Sequence, residues 1–480
     1  MVPERLTPVL RELEPLAARF RVAGHRVYLV GGTVRDLFVA HERDDFDLDL
    51  TTDARPDEIK RCLDGWADAI WSQGERFGTI GAIRKTDGRE RVYEITTFRA
   101  EAYTDDSRKP HVVFADEIEA DLSRRDFTVN AMALELTDDA MPTLVDPFDG
   151  ASDLASRTLR TPLGPDVSFS DDPLRMLRAA RFIAGYQLEP TAGLVEGVGA
   201  MASRLEIVSA ERIRDELDKL MVVDHPAAGL WFLVDTGLAD HFLPELPAMR
   251  LEHDPIHRHK DVLTHTIAVV ENVRPPREHD DDAAPFDFRL TRLAALFHDV
   301  GKPRTRGYLE GKGTTYHHHD AVGARMTRKR MSALRYSNDD IAAVTELVAL
   351  HLRFHTYSMG WSDSAVRRYV RDAGDLLREL NVLTRCDCTT RNAKKAARLS
   401  KRMDELEARI VELEAAEELA ALRPELDGNA VMEHLGLQPG RDVGDAMRFL
   451  MEIRLDEGLL GDAAVRARLD EWWAERSITG

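Results

Sequence analysis

The chain predicts an α+β fold: a small mixed β-sheet head near its start, followed by an all-helical neck, body and tail. Three observations carry this. Val27 to Val30 and Phe46 to Leu50 read as strands around Gly31-Gly32 and a short helix, and strand-like runs recur at 79–83 and 92–98. Past about residue 150 the apolar residues recur at helical spacing. Between His241 and His355 lie 12 of the 17 histidines, a shift in composition that marks a separate domain. The boundaries expected are 1–150 for the head, 151–245 for the neck, 246–390 for the histidine-rich body and 391–480 for the tail.

Residues 1–22 open the head with an amphipathic helix, because Leu6, Leu10, Leu13, Leu16 and Phe20 recur near the helical period. Val27 to Val30 is a short buried strand. Gly31-Gly32 then lets the backbone turn tightly and present bare N–H groups to a ligand. Thr33 is placed to cap the next helix, with Arg35 and Asp36 in its first turn, so amides, a helix N-terminus and a guanidinium can converge on a triphosphate. After a polar turn at His41 to Asp45, Phe46-Asp47-Leu48-Asp49-Leu50 alternates apolar and acidic residues. Period two puts both carboxylates on one strand face, where they repel unless a cation sits between them; hard oxygen ligands suit Mg²⁺. Taken together, strand, glycine pair, helix and acidic strand point to two-metal phosphoryl or nucleotidyl transfer.

Pro56 to Leu63 reads as a helix opened by proline. In the run 92–98, Glu94 is either a third carboxylate for the metals or an ordinary strand residue. Tyr103 to His111 has no periodicity and reads as a loop. Arg124 and Arg125 precede an apolar run, Phe127 to Leu136; two adjacent helical arginines point apart, so one can face phosphates while the other pairs with an acid. Asp146 to Gly150 is turn chemistry.

In the neck, Asp172, Arg175 and Arg178 lie three apart and form a stripe on a helix that Pro173 opens, while Leu174, Leu177, Ala180 and Ala184 occupy another arc. A carboxylate only accepts hydrogen bonds and a guanidinium only donates them. Adenine and cytosine present an amine beside an unprotonated ring nitrogen, so an Asp–Arg pair is complementary to them and mismatched to guanine and uracil. The alternative is a plain surface salt bridge. Ser209 is a plausible cap for a further helix, whose arginines either hold the neck together or touch substrate. In the tail, Arg391 to Arg402 collects six basic residues ahead of an acidic stretch from Asp404 to Glu418. That pattern fits an intrahelical salt-bridge ladder or a phosphate-facing strip equally well, and Arg325 with Arg328-Lys329-Arg330 is a second basic cluster.

At 480 residues, 43% hydrophobic and 31% charged, the chain is expected to be a soluble protein of two to four domains. Neither a signal peptide nor a spanning helix is expected at its start. Three cysteines give no disulfide framework, which suits a reducing cytoplasm. A net charge of −20 argues against a general nucleic-acid coat, so any nucleic-acid contact must concentrate its basic residues locally.

LVGGTVRD followed by DFDLDL resembles the head of the class II nucleotidyltransferases of the polymerase-β superfamily, the group of CCA-adding tRNA nucleotidyltransferases and bacterial poly(A) polymerases. The likeness continues through Arg124 to Ala131, Asp146 to Gly150 and Asp171 to Phe182, in the family's order, and covers roughly residues 25–215. It implies template-independent addition of C, C and A to tRNA from CTP and ATP, with no role for DNA or a membrane. Asp47 and Asp49 would hold Mg²⁺ and carry catalysis. Gly32, Arg35 and Arg125 would hold phosphate and sugar, Asp172 and Arg175 would read the base, and Arg178 and Arg181 would complete the nucleotide pocket. Asp126 and Asn130 would position these groups, and the 103–111 loop would help switch nucleotide specificity. A poly(A) polymerase, or an enzyme adding only CC or only A, remains an alternative.

His265, His298-Asp299 and Asp387 match the spacing of an HD-type metal phosphohydrolase site, and His319 and His351 are candidates for a second divalent metal. Such a domain is either a hydrolase, with the head in a regulatory role, or a body that supports tRNA.

Overall fold

The protein is described by a computed structural model. It covers residues 6–39, 48–86, 89–101, 113–138, 142–251, 261–276, 285–310, 313–356, 362–389, 393–417 and 423–479. Asp47, the 41–45 turn, the 103–111 loop and Arg391 lie outside these residues. The chain divides into two compact units, Met1–Pro244 and Glu245–Gly480. The expected head and neck form the first and the body and tail the second, so the boundaries at 150 and 390 fall inside units.

The first unit begins with helix α1 (Leu6–Val22), whose buried stripe of Leu6, Val9, Leu13, Leu16, Ala17 and Phe20 follows the helical period. Strand β1 (Val27–Val30) and helix α2 (Gly32–Phe38) follow. Gly31, at φ 76 and ψ −141, makes the turn between them, a conformation open essentially to glycine alone. Helix α2 thus starts two residues earlier than expected, and Thr33 is buried inside it instead of capping it.

Next come β2 (Leu48–Thr52), α3 (Pro56–Leu63), β3 (Ala69–Trp71), β4 (Thr79–Thr86) and β5 (Arg89–Thr97), then a small pair, β6 (Arg99–Glu101) with β7 (Val113–Phe114). Helix α4 (Ile118–Ser123) ends at Arg124, so the arginine pair follows a helix and is not on one. The apolar run after it is not one element: Thr128–Asn130 is a single 3₁₀ turn, and β8 (Ala133–Glu135) pairs with β1 and β9 (Thr143–Val145). The sheet order is β3-β4-β5-β2-β1-β8-β9, with β2 and β5 parallel and the other pairs antiparallel. Strand β1 is central and buried on both sides: Val27 and Leu29 join a core with α1 and α3, while Tyr28 and Val30 join another with Ile118 and Leu122. That is why its four residues read as a continuous apolar run.

The neck consists of α5 (Gly150–Ala155), α6 (Pro165–Asp171), α7 (Arg175–Tyr186), α8 (Ala192–Met201), α9 (Ala210–Met221) and α10 (Ala227–Asp235), with a two-strand contact of β10 (Thr158–Leu159) and β11 (Glu189–Pro190). Helix α7 buries Leu177, Ala180 and Ala184 as its spacing requires.

Among the described residues, the second unit is helical apart from one hairpin. It runs through α11 (Glu245–Ala248), α12 (Val262–Asn272), α13 (Phe288–Phe297), α14 (Lys302–Thr305), β12 (Arg306–Leu309), β13 (Gly313–Tyr316), α15 (His319–Ala333), α16 (Asn338–Leu350), α17 (Arg353–Thr356), α18 (Asp363–Ala373) and α19 (Leu377–Asp387). Asp261, Asp287, Ser337 and Ser362 cap four of these helices, each side chain accepting the backbone N–H three residues on. Helix α20 (Ala393–Glu417) carries the described parts of the basic and the acidic run, and α21 (Gly428–Leu435), α22 (Arg441–Glu457) and α23 (Asp462–Thr479) close around Val431, Ala446, Leu450 and Leu469. The acidic run is only partly an intrahelical ladder. Lys401 and Glu405 lie 3.7 Å apart, but Asp404 and Glu407 bind Arg385 of α19. No described helix is long and apolar enough to cross a membrane.

Candidate active site and metal centre

In the sheet, Leu29 stands opposite Leu50, which brings the turn after β1 beside Asp49 at the start of β2. Asp49 stands opposite Glu94 of β5, on the face away from Leu48, Leu50, Tyr93 and Ile95. Glu94 is exposed. A Cβ built on Gly31 would lie 3.2 Å from Arg125 Nη1 and 3.4 Å from Asp49 Oδ2, so the glycine turn, the arginine and the carboxylate meet at one point.

They meet in a cavity of about 320 Å³ lined by Gly31, Gly32, Asp49, Arg124, Arg125, Asp126, Asn130, Asp172, Leu174, Arg175, Arg178 and Arg212. The lining gathers five arginines from three separate stretches of chain. Two were not among the residues expected to bind: Arg124 and Arg212. The signal for Arg212 was its place three residues after the Ser209 cap, whose hydroxyl accepts the Arg212 N–H and so fixes the first turn of α9.

Two expected nucleotide contacts do not line this cavity. Arg35 is 5% exposed and faces inward, donating to Asp36 Oδ1 at 2.8 Å, to Asn130 Oδ1 at 2.6 Å and to the Tyr186 hydroxyl, with its guanidinium 4.1 Å over the Tyr186 ring. Arg181 donates to Glu216 Oε2 at 2.9 Å. Both belong to a network behind the cavity wall. Asn130 donates to Asp126 Oδ1 at 2.8 Å, Arg178 clasps Asp126 Oδ2 at 2.7–2.8 Å, and Glu216 joins Arg181 and Arg178. Burial by itself would raise the Asp126 pKa; the Arg178 charge and the Asn130 amide outweigh it and hold the carboxyl at about 2. Burial likewise opposes ionisation of Glu216, and Arg181, Arg178 and Lys219 win, leaving its pKa below normal.

The expected stripe of Asp172, Arg175 and Arg178 is also rearranged. Asp172 lies outside the helix, extended at φ −147 and ψ 103, because Pro173 disfavours a helical residue before it. Its Oδ1 accepts the Leu174 N–H at 3.1 Å and its Oδ2 accepts from Arg212 Nη2 at 2.7 Å. Arg175 donates to Ser168 Oγ at 2.9 Å and to the carbonyls of Ser168 and Arg124. The ion pair of Asp172 is therefore with Arg212 and not with Arg175. Both side chains still border the cavity.

In the second unit, His265 comes from α12, His298 and Asp299 from the end of α13, His319 from the first turn of α15, His351 from the end of α16 and Asp387 from the last residue of α19. Nδ1–H of His298, His319 and His351 donates to the carbonyls of Ala295, Tyr316 and Val348 at 2.7–2.8 Å, and His265 Nδ1 meets Thr389 Oγ1 at 2.8 Å. With the proton on Nδ1, each Nε2 turns a lone pair inward. Nε2 of His265 and His298 lie 3.3 Å apart, as do those of His319 and His351. Asp387 Oδ1 is 2.8 Å from His265 Nε2, and Asp299 reaches His298, at 3.2 Å, and His319, at 3.4 Å. Lone pairs and carboxylates converging this closely repel unless a cation lies between them, so the donor set fits divalent metal. Among the described residues two groups are formed, His265–His298–Asp299 and Asp299–His319–His351, sharing Asp299. Burial disfavours the Asp299 charge, yet His298 and Lys302, whose Nζ lies 2.6 Å away, hold its pKa well below normal. Burial drives the pKa of His351 down to about 4, so it is a neutral imidazole at pH 7.

Comparison with known families matches residues 27–160 to the Poly A polymerase head domain, residues 190–249 to the "Probable RNA and SrmB- binding site of polymerase A", and residues 262–414 to the HD domain. The A-adding tRNA nucleotidyltransferase of Deinococcus radiodurans is 35% identical over 367 residues, 75% of this chain and 80% of that protein. The CCA-adding enzyme of Limosilactobacillus reuteri is 35% identical over 236 residues, 49% of this chain, which spans about half (55%) of that relative. The crystal structure of the Bacillus stearothermophilus CCA-adding enzyme with CTP superposes with a TM-score of 0.64 at 20% identity, covering 100% of each chain, a likeness of fold. An enzymatic head with a matching RNA-binding neck, an HD domain and a relative aligned over most of both lengths place this chain in the tRNA nucleotidyltransferase and poly(A) polymerase family.

Proposed function

We propose that the chain adds C, C and A to the 3′ end of tRNA from CTP and ATP, without a nucleic-acid template, releasing pyrophosphate. The observation that carries this reading is the single cavity in which Asp49, the Gly31-Gly32 turn, the Arg124–Arg125 pair and the Asp172–Arg175 base readers meet. Asp49, with Asp47 ahead of it in sequence, would hold Mg²⁺; the fit rests on carboxylate oxygens beside an arginine-lined wall. Bound there, Mg²⁺ lowers the pKa of the tRNA 3′-hydroxyl and neutralises triphosphate charge. The Gly31 and Gly32 amides and Arg125 cradle the phosphates. Arg178 and Asp126 clasp one another within the wall, and Arg35 and Arg181, behind it, act as positioning residues for that clasp. Asp172 accepts from the exocyclic amine of A or C, while Arg175 donates to its ring nitrogen. In-line attack by the hydroxyl on the α-phosphorus forms the new P–O bond and expels pyrophosphate. Recognition of tRNA by its shape and phosphates, in a cytoplasmic setting, completes the reading.

The test is incubation with Mg²⁺ of tRNA transcripts ending before CCA and after CC, with CTP and ATP separately and together, beside Asp49→Ala. Ordered C, C, A incorporation that stops and is lost in the variant supports the proposal. Addition only to the CC-ended transcript moves the assignment to A-only activity, the reading favoured by the D. radiodurans likeness. Long A tracts move it to poly(A) polymerase.

A second activity is favoured by the paired HD triads: metal-dependent hydrolysis of a phosphate ester in the second unit. Phosphatase and phosphodiesterase turnover with Mn²⁺ or Ni²⁺, lost in Asp299→Asn and kept in Asp49→Ala, is the expected result. No turnover with any divalent metal would leave the unit as a body for tRNA.

A further inference from the structure

We propose that Arg212 is a positioning residue for base selection: reaching from α9, its guanidinium fixes the carboxylate of Asp172 so that A and C are accepted and G and U refused. This rests on the nucleotidyl-transfer reading above. The Asp172 carboxylate is held at both oxygens from two different elements, Oδ1 by the Leu174 N–H at 3.1 Å and Oδ2 by Arg212 Nη2 at 2.7 Å. A carboxylate so held cannot rotate about its own bond. It offers about four lone-pair directions, of which these two contacts use two. The remaining two have fixed directions beside the cavity.

Fixity matters because refusal is harder than acceptance. An amine from A or C satisfies a carboxylate in almost any rotamer. The carbonyl that G or U presents at the same place is rejected only while the carboxylate oxygen cannot turn away from it. Arg175 is tethered in the same manner, by Ser168 and the Arg124 carbonyl, so each base reader is aimed by residues that do not themselves read. Arg212 is well placed to do the aiming, since the Ser209 cap sets its backbone, it borders the cavity, and its side chain remains 52% exposed. An ordinary exposed ion pair contributes little to stability and nothing to the choice among nucleotides.

The experiment uses the full chain and each nucleoside triphosphate singly, CTP and UTP on a tRNA transcript lacking CCA and ATP and GTP on a transcript ending in CC, comparing wild type, Arg212→Ala and Arg212→Lys after circular dichroism shows all three folded. In R212A the ratios of kcat/KM for CTP over UTP and for ATP over GTP fall about tenfold. The change enters chiefly as a higher KM for CTP and ATP, with the KM for tRNA unmoved. R212K, which restores a donor and a charge without the fork geometry, recovers part of the discrimination. An equal loss across all four nucleotides would show Arg212 to be merely structural and overturn the proposal, as would unaltered ratios. If the wild type incorporates nothing, the nucleotidyl-transfer reading falls first and the assignment of Arg212 falls with it.

Discussion

Asp126 is 8% exposed, and its carboxyl is held near pKa 2 by Arg178 and Asn130 against the cost of burial. Because the folded value lies below the unfolded one, its charged form stabilises the fold fully above about pH 4. That contribution, about 2 kcal/mol, is lost as the pH falls towards 2. Melting of wild type and Asp126→Asn across pH 2–7 should therefore show the widest gap in Tm above pH 4 and a closing gap below it; a constant gap would refute the account. Asp49→Ala should lower nucleotide incorporation about a thousandfold without lowering Tm, as expected for a charged group at the reacting centre and not in the core. At this scale residue types were legible from sequence and partners were not. The acidic alternation picked out Asp49, whereas nothing in the spacing of residues 31–36 indicates that Arg35 turns inward to Asn130, which lies 95 positions away.

Between β1 and α2, Gly31 adopts a backbone region closed to other residues, and an added Cβ would press on Arg125. Gly31→Ala should cost about 1–3 kcal/mol of stability and raise the KM for both nucleotides, measured by denaturant unfolding and initial rates. The second unit has a counterpart in Gly301: a Cβ there would collide with the His319 carbonyl oxygen and lie 2.7 Å from the Gly323 nitrogen. Since His319 and Asp299 flank this position, Gly301→Ala should force α14 and α15 apart and weaken Mn²⁺ binding by the second unit, read by calorimetric titration. Elements with a clean helical period, such as α1 and α7, were legible in the sequence, and β1 was legible as a short apolar run ended by Gly31-Gly32. The run 127–136 was not, because a central strand buried on both faces has no alternation to distinguish it from helix.

For the molecule as a whole, a net charge of −20 means that the tRNA of the proposed reaction must be met by local basic surface. The exposed Lys394, Lys395, Arg398 and Lys401 on α20 form one such strip, and Arg325, Arg328 and Lys329 on α15 another. Affinity for tRNA should fall steeply with salt. Lys394→Glu with Arg398→Glu should flatten the plot of log affinity against log salt by about one unit for each phosphate no longer neutralised, with little effect on the KM for CTP. An unchanged slope would assign α20 a purely structural role through its ion pairs with Arg385 and Asp363.

By itself the sequence determined which chemistry the chain carries. The glycine turn, the acidic strand, the Asp172–Arg175 spacing and the histidine-rich tract are local patterns, and local patterns fix the available donors, acceptors and metal ligands. Only the tertiary structure decided who meets whom. It set Asp172 against Arg212 instead of Arg175, withdrew Arg35 and Arg181 behind the cavity wall, and brought six side chains able to ligate a metal from five helices to within a few ångströms. The physical reason is that a contact between distant residues depends on sheet order and helix packing, which are settled by the sum of all buried surfaces and not by the spacing within any one segment.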